Sequence, residues 1–532
     1  MRNVGRWELA LAAVLLLGLA LRLHGIHDPL LDHPGWRQGD TAAIARNFAR
    51  LQYNVFYPQT TYNGPPPNYV ELELQIVPFV AATLYRLFGV HEVFGRGIAL
   101  AFSLLTIATL GYFGRWLFDS ALAGVAAAFC YAIFPGSIYY GRTFMPDAAM
   151  VFFLTAALYA ATRYFTGDRA SWRAPAWTTA LLTLAYLAKP VAVVALVPLA
   201  GLCWERLRRG RPLQPVATTV LFAAPLLVLG LYGRAVAAHA EWHWASGIMR
   251  LHVLPALVAA FESPRAFADK LVQFRIVLGM LRQTMLGGAA FLCSVAAFVA
   301  LPWIGARSKA LLWCWLAGGL AYVFVVVTVE RVDYYMYPLL PLCALVLGGA
   351  IAYALAALAR ADAAPAVRYG FVGLLTAVAI AAVVQSRAAI APYYAYNKQA
   401  YRDAVALDRA LPRDALVVIG HYGPDVQYYV DRFGWEEDAA LWTPFDEESA
   451  IRKGARYFIS IEDNRLRHNL ELCAWLQRFP LLGPSAQWPV YLTDPAKELP
   501  GADGFWRAFR KAERIGAGRA FLDATGRCRV SS

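Results

Sequence analysis

Residues 8–24 read ELALAAVLLLGLALRLH, and the polar loop that follows contains His33-Pro-Gly-Trp-Arg-Gln-Gly-Asp40. The apolar stretch follows Arg2 and Arg6 and is not followed by a small-residue cleavage site, which predicts a retained membrane helix with its N-terminus in the cytoplasm. The loop places a carboxylate, a guanidinium, an imidazole and an indole together at a membrane surface. We therefore expect a membrane protein with polar chemistry at one face.

The composition extends this expectation to most of the chain. Of 532 residues, 59% are hydrophobic and only 16% are charged, and the mean hydropathy is +0.44. Apolar runs recur along the sequence, which predicts an α-helical polytopic membrane protein with about eleven transmembrane helices. Among the predicted spans are residues 8–24, 98–117, 121–140, 176–187, 191–204, 214–232, 286–304, 309–328, 337–358 and 369–385.

The distribution of charge argues against nucleic-acid binding. The net charge is +13, but from residue 387 onward 20 basic residues stand against 19 acidic ones. The basic excess lies in short loops between apolar runs, such as residues 206–211. This distribution is typical of cytoplasmic loops under the positive-inside rule and not of a basic binding face.

The apolar segment 74–89 leaves two topologies open. If it spans the membrane, Asp147 lies on the cytoplasmic side; if it is interfacial or re-entrant, Asp147 lies outside together with Asp40. Pro78 and Arg86 interrupt the segment, and the topology in which it does not span places the basic loops inside. This second topology is therefore favoured. The segment 41–51 is predicted to be a helix lying along the membrane interface, with Asp40 at or next to its N-cap.

The composition changes to that of a soluble domain after about residue 388. We predict a transmembrane domain over residues 1–388, with external loops 25–73 and 234–285, and an external α/β domain over residues 389–532. Within the latter, residues 415–419 and 456–461 are predicted strands and 425–431 a predicted helix. His421 follows the first strand, where such folds often bind a ligand, but an ordinary turn is the favoured interpretation. The seven cysteines lie mostly inside apolar runs and are interpreted as packing residues, with a Cys473–Cys528 pair in an oxidising compartment as the alternative.

Three predicted external turns combine carboxylates with basic and aromatic groups. They are Trp36-Arg37-Gln-Gly-Asp40, Tyr139-Tyr140-Gly-Arg142-Thr-Phe-Met-Pro-Asp147 and Arg331-Val-Asp333-Tyr334-Tyr335, and Glu73 adds a further carboxylate. Ionisable groups at a bilayer edge are costly and are functional candidates, although a helix cap or a local ion pair is the structural alternative for each one.

This set of residues suits group transfer from a lipid phosphate. A carboxylate can deprotonate a hydroxyl or hold a divalent metal, cations can stabilise a departing phosphate, and aromatic rings can stack on sugars. The sequence has no Gly-rich phosphate loop, HExxH or GxSxG motif, so a soluble nucleotide donor is not supported. No cofactor is indicated, and a divalent metal remains an open alternative.

The order of motifs resembles the GT-C glycosyltransferases, and within them the bacterial relatives of protein O-mannosyltransferases and of the aminoarabinose transferase that modifies lipid A. The resemblance covers roughly residues 5 to 385. The motifs are Arg37-x-x-Asp40, Gly64-Pro-Pro-Pro67, Leu87-Phe88-Gly89, Tyr-Tyr-Gly-Arg-x-x-x-x-Asp147, Leu187-Ala-Lys189-Pro190 and Asp333-Tyr-Tyr.

The resemblance implies an inverting transferase that uses a polyprenyl-phosphate sugar. Asp40 would be the catalytic base, with Asp147 and Glu73 as the other acidic site residues. The expected phosphate-binding residues are Arg37, Arg142, Lys189 and Arg331. The expected substrate-binding residues are His33, Trp36, Tyr139, Tyr140, Asp333, Tyr334 and Tyr335.

The expected partners are the lipid-linked donor, the bilayer and a glycan, lipid or protein acceptor, without nucleic acid. The expected location is the bacterial inner membrane, with the active site and the C-terminal domain in the periplasm. A lipid or glycan transporter is the main alternative, although its charges would lie near the middle of the membrane. A structural assembly protein is another alternative, which would leave the acidic turns unexplained.

Overall fold

The computed structural model describes residues 5–167, 172–362, 364–482, 487–526 and 528. The chain divides into two compact units. The first, which we call the membrane unit, comprises Met1–Asp28, Glu71–His239 and His243–Tyr394. The second, which we call the α/β unit, comprises Pro29–Val70, Ala240–Trp242 and Ala395–Ser532. Most of the predicted loop 25–73 therefore contributes to the α/β unit.

Helices dominate the first two thirds of the chain. In chain order they are α1 Arg6–Arg22, α2 Gly35–Arg50, α3 Ile76–Phe88, α4 Glu92–Phe118, α5 Ala121–Ile133, α6 Pro135–Tyr140, α7 Asp147–Thr166, α8 Arg173–Ala188, α9 Leu196–Arg208 and α10 Pro215–Ala237. They continue with α11 Trp244–Gly247, α12 Leu254–Ala259, α13 Pro264–Met280, α14 Gly288–Ala300, α15 Lys309–Tyr322, α16 Thr328–Glu330, α17 Leu340–Arg360 and α18 Pro365–Ile390.

Shorter helical segments join several of these elements. A 3-10 turn at Pro190–Ala195 precedes α9, and another at Asp333–Leu339 precedes α17. A third, at Ala391–Tyr394, follows α18. The π-helical turns Ile248–Val253, Leu281–Met285 and Val323–Val327 lie within or after longer helices. Most of residues 234–285, predicted as an external loop, is thus helical.

The described residues contain seven helices that are long and apolar enough to cross a membrane, or eight if the pair Pro264–Met285 and Gly288–Ala300, bent by 114°, is one span. The polytopic α-helical fold is confirmed. The predicted number of about eleven is higher because it includes α1, α5 and α8, which are only 17, 13 and 16 residues long. The predicted span 121–140 is interrupted because Pro135 follows Phe134, which has an extended conformation.

Small residues and the buried side chain of Arg22 hold helices of the membrane unit together. A Cβ atom on Gly348 of α17 would lie 2.5 Å from the carbonyl oxygen of Ala123 in α5, so glycine allows these helices to approach closely. Arg22 of α1 is fully buried and donates to Ser103 of α4 at 2.8 Å and to Ser137 of α6 at 2.7 Å. An arginine inside an apolar span is tolerated here because its donors are satisfied.

The remaining elements belong to the α/β unit, apart from two short strands, β1 Val70–Glu71 and β2 Trp242–His243, which pair with each other. The helices are α19 Lys398–Ala410, α20 Pro424–Val430, α21 Pro444–Arg452, α22 Asp463–His468, α23 Leu470–Leu476, α24 Ala502–Arg514 and α25 Gly518–Ala524. The strands are β3 Leu416–Gly420, β4 Gly434–Glu437, β5 Ala455–Ile459 and β6 Val490–Leu492.

These four strands form one sheet in the order β4-β3-β5-β6. β3 is parallel to both β4 and β5, and β6 is antiparallel to β5. The apolar runs predicted as strands thus form the centre of the sheet, which is buried against helices as parallel strands require. Cys473 and Cys528 form a disulfide in this unit, which is the alternative to the packing role that the sequence favoured for them.

Candidate active site

Asp40 lies inside helix α2 of the α/β unit with 2% of its surface exposed. Its Oδ2 atom accepts a hydrogen bond from Nη1 of Arg37 at 2.9 Å, and its Oδ1 atom accepts from the hydroxyl of Tyr62 at 3.1 Å. Burial and the negative charges of Asp40 and Glu436 raise the pKa of Tyr62 well above its ordinary value. Tyr62 therefore remains protonated and orients the carboxylate as a donor.

The environment of α2 differs from the prediction. The helix begins at Gly35, so Asp40 is not at its N-cap, and residues from Gln38 to Phe48 are all buried, whereas a helix lying along a membrane interface would expose one face. The reason is a packing contact with α20: a Cβ atom on Gly39 would lie 2.5 Å from the Cα atom of Asp425. Arg46 strengthens this contact by donating to the carbonyl oxygen of Tyr428 at 2.7 Å.

The loop after β3 places titratable groups beside this contact. Nδ1 of His421 lies 3.1 Å from Glu462, and its Nε2 atom lies 3.6 Å from Asp425. Burial lowers the pKa of His421, but the negative charges of Asp425 and Glu462, together with the hydrogen bond to Glu462, outweigh burial and raise it. Burial also raises the pKa of Glu436 to about 7. These groups lie near the carboxyl ends of parallel strands, the usual ligand-binding edge of such sheets.

A second pair of predicted residues meets in the membrane unit. Asp147 is the first residue of α7, and its Oδ1 atom accepts from Nζ of Lys189 at 2.6 Å. The side chain of Asp147 is 1% exposed and that of Lys189 is 9% exposed. The rings of Tyr334 and Tyr335 flank the ammonium group, at 5.0 Å and 4.6 Å from Nζ to the ring centroids. The two charges thus offset each other inside an aromatic enclosure.

Asp333 is held by hydroxyl groups from three other parts of the membrane unit. Its Oδ1 atom accepts from Tyr140 at 2.5 Å, and its Oδ2 atom accepts from Thr284 at 2.7 Å and from Tyr393 at 2.6 Å. The π-helical turn Leu281–Met285 presents Thr284 to this carboxylate. This arrangement gives Asp333 a clear structural role in fixing the turn that carries Tyr334 and Tyr335.

The predicted cations differ in their surroundings. Arg142 is fully buried, donates to the carbonyl oxygen of Gly25 at 3.0 Å, and stacks on the rings of Tyr139 and Tyr394. Arg331 is exposed and adopts a left-handed conformation with φ of 54°. It interacts electrostatically with Lys270 of α13, a residue that the sequence analysis did not select. Among the described residues, no acidic side chain pairs with Arg331 or with Lys270.

Three further predicted site residues are Glu73, His33 and Trp36. Glu73 is buried, and its carbonyl oxygen accepts from Tyr232 at 3.3 Å. His33 is exposed, and Trp36 is half-buried near Gly423. Within the described ranges, no group of three or more His, Cys, Asp or Glu side chains could hold a metal ion.

Comparison with solved structures identifies the class of the fold. ArnT from Cupriavidus metallidurans in the apo state is similar with a TM-score of 0.56 and 14% identity, over 92% of this chain and 98% of that one. The same protein bound to undecaprenyl phosphate gives a TM-score of 0.51 and 13% identity, with the same coverage. The archaeal oligosaccharyltransferase AglB from Archaeoglobus fulgidus, in complex with an inhibitory peptide and a dolichol-phosphate, gives a TM-score of 0.56 and 13% identity. This match covers 93% of this chain and 75% of that one. The fold is therefore that of the GT-C membrane glycosyltransferases, as the motif order predicted.

A family comparison refines the class over part of the chain. The family described as dolichyl-phosphate-mannose-protein mannosyltransferase matches residues 75–231, a segment that includes Arg142, Asp147 and Lys189. No curated protein matches the sequence. The chain is thus a GT-C-fold membrane protein whose residues 75–231 are similar to mannosyltransferases.

Proposed function

We propose that the protein is an inverting glycosyltransferase that moves a sugar from a polyprenyl-phosphate donor to a hydroxyl group of a glycan, lipid or protein. The observation that carries the proposal is the carboxylate of Asp40, which is buried and oriented by Arg37 and Tyr62 in a chain with the GT-C fold. The undecaprenyl phosphate and dolichol-phosphate bound by the two similar proteins support a lipid-linked donor.

In the proposed reaction, Asp40 takes the proton of the acceptor hydroxyl while the acceptor oxygen attacks the anomeric carbon. The bond between that carbon and the phosphate oxygen breaks, and polyprenyl phosphate leaves with the bonding electrons. Attack from the side opposite the phosphate inverts the anomeric centre. Arg37 holds the carboxylate of Asp40, and we also propose Glu73 as an acidic site residue.

We propose Arg331 and Lys270 as the principal cations for the leaving phosphate. Their charges interact with each other, and neither has an acidic partner in the described part of the chain, so an anion between them would relieve their repulsion. Lys189 and Arg142 are already engaged, the first with Asp147 and the second with a carbonyl oxygen and two rings. We assign them to building the site around the donor.

We propose a bacterial inner-membrane location, with the candidate site and the α/β unit on the periplasmic side. The basic run 206–211 and the Cys473–Cys528 disulfide support this orientation. A cysteine introduced at Tyr422, which is 60% exposed, should react with an impermeant thiol reagent in intact spheroplasts, and a cysteine at Gly210 should not. The reverse labelling pattern would overturn the orientation.

The decisive experiment is transfer by the purified full chain in lipid. Radiolabelled polyprenyl-phosphate sugars are incubated with the chain and a membrane extract, and labelled product is separated from donor. We expect Asp40→Asn to abolish transfer while the chain still folds, and Asp523→Asn, which changes an exposed aspartate of the α/β unit, to leave transfer intact. Normal transfer by Asp40→Asn would refute the assigned base, and transbilayer movement of donor without product would favour a transporter.

A further inference from the structure

One oxygen of the Asp147 carboxylate accepts no hydrogen bond from the part of the chain that the structure describes. Oδ1 is bound to Lys189, but Oδ2 has no hydrogen-bond partner among the described residues, although Asp147 has 0% exposure. A buried carboxylate oxygen without a donor is unfavourable, and native proteins rarely contain one without a functional reason.

A second buried polar atom lies in the same neighbourhood. Tyr322, the last residue of α15, is 9% exposed, and its hydroxyl also lacks a hydrogen-bond partner within the described ranges. Its electrostatic neighbours include Asp147, Tyr334 and Tyr335. The π-helical turn Val323–Val327 begins immediately after Tyr322, and such turns occur frequently at functional sites.

The chemistry of this neighbourhood favours a neutral ligand with hydroxyl groups. Oδ2 of Asp147 can accept a hydrogen bond, and the phenol of Tyr322 can donate or accept one. The charges of Asp147 and Lys189 offset each other, so an additional charged group would be buried without compensation. The rings of Tyr334 and Tyr335 offer apolar faces beside these polar atoms, a combination that suits a sugar ring.

We propose that Tyr322 and Oδ2 of Asp147 bind a hydroxyl group of the transferred sugar. The sugar hydroxyl donates to the carboxylate oxygen and accepts from the phenol, which fixes the orientation of the ring. This inference rests on the proposed function and deepens it, because it assigns recognition of the sugar to these two residues and recognition of the phosphate to Arg331 and Lys270. Tyr322 is then a specificity-determining residue.

The test compares binding of undecaprenyl phosphate with and without a sugar to the full chain in detergent. The sugars are mannose, glucose, galactose and 4-amino-4-deoxyarabinose, and no acceptor is present, so any sugar effect belongs to the donor. We expect Tyr322→Phe to weaken binding of the preferred sugar-bearing donor about tenfold and to leave binding of the bare carrier unchanged.

Tyr186→Phe is the matched control. Tyr186 is 1% exposed and its hydroxyl also lacks a hydrogen-bond partner among the described residues. Unlike Tyr322, it has no electrostatic interaction with Asp147. We expect this variant to bind every ligand like the unmodified chain. Arg331→Ala should instead weaken binding of the bare carrier and binding of the sugar-bearing donors to the same degree.

Several results would overturn the inference. One is normal binding of all donors by the Tyr322→Phe variant. If its unfolding temperature is also lowered, the Tyr322 hydroxyl binds a structural water and not a sugar. Equal weakening of the bare carrier would indicate a phosphate contact, and a panel in which no sugar improves on the carrier would exclude a sugar site. If the unmodified chain binds no polyprenyl phosphate at all, it is the proposed function that fails.

Discussion

The Nζ atom of Lys189 lies 2.6 Å from Oδ1 of Asp147, with both side chains buried in the membrane unit. Asp147 begins α7 and Lys189 follows the last residue of α8, so the ion pair joins the ends of two helices. The start of a helix also favours a negative charge. The pair therefore has a structural role that is separate from any contact with substrate.

Removing one charge of this pair should be more harmful than removing both. Asp147→Asn or Lys189→Met leaves the other charge buried and unpaired, and we expect each to lower the free energy of unfolding by about 3 kcal/mol. The loss of unfolding free energy in the double variant should be clearly smaller than the sum of the losses in the two single variants. Unfolding of the four proteins in detergent measures this coupling, and additive losses would contradict it. The exposed pair Arg307–Asp119 is the control, for which we expect a coupling below about 1 kcal/mol.

Tyr62→Phe should slow sugar transfer without preventing it. The substitution removes only the hydroxyl that donates to Asp40 at 3.1 Å, so the carboxylate loses an orienting hydrogen bond. We expect kcat to fall about tenfold with little change in donor affinity. Tyr69→Phe is the matched control, because the Tyr69 hydroxyl donates to Gln52. An unchanged kcat for Tyr62→Phe would mean that the carboxylate needs no such support.

Gly39→Ala should displace helix α2. The added Cβ atom would lie 2.5 Å from Cα and 2.8 Å from N of Asp425, which are backbone atoms that cannot move independently. We expect a loss of at least about 1 kcal/mol in unfolding free energy and a strong reduction in transfer. Gly504→Ala in α24 is the control, because nothing lies within 4 Å of its Cβ position and alanine favours a helix. Wild-type stability and transfer for Gly39→Ala would refute the close packing of α2 on α20.

The stability of the α/β unit should fall between about pH 5 and pH 8. Burial raises the pKa of Glu447 from 4.5 to about 8, and its Oε2 atom accepts from Nε1 of Trp442 at 2.8 Å. Between these two pKa values the folded state retains a proton that the unfolded state releases. The contribution of protonated Glu447 to the free energy of unfolding is therefore complete below the pKa of the unfolded state and is lost as the pH rises through the pKa of the folded state.

Thermal unfolding of the full chain at about pH 6, 7 and 8.5 tests this expectation. Glu447→Gln keeps the side chain neutral and should make the unfolding temperature less dependent on pH. Glu448→Gln changes the neighbouring carboxylate, whose side chain is 48% exposed, and should retain the wild-type dependence. An identical pH dependence for Glu447→Gln and the unmodified chain would contradict the raised pKa of Glu447.

The sequence predicted those parts of the molecule that depend on local patterns. Apolar runs located most of the long helices, and the run at 415–419 became β3 at Leu416–Gly420. The order of motifs was sufficient to identify the GT-C fold. Local patterns were misleading at α2, where a short amphipathic stretch suggested a membrane interface. The helix is instead buried because Gly39 allows it to approach α20, a partner almost 400 positions away in the sequence.

The candidate site was predicted only for residues in polar turns. Asp40 and Asp147 were selected because carboxylates are costly at a bilayer edge. Tyr62 and Tyr322 were not selected, since a tyrosine is ordinary in a loop or at the end of an apolar helix. Their relevance depends on partners distant in sequence: Tyr62 donates to Asp40, and Tyr322 interacts with Asp147. No spacing rule connects such residues.

The Cys473–Cys528 bond has a practical consequence for mapping the accessible parts of the chain by proteolysis. It closes a segment that contains β6, α24 and α25, with a sequence separation of 55 residues. A trypsin cut after Lys511, an exposed residue of α24, leaves both fragments covalently joined. The nicked protein would migrate as an intact chain on a gel until a reductant is added, so accessibility maps of this region require paired samples with and without reductant.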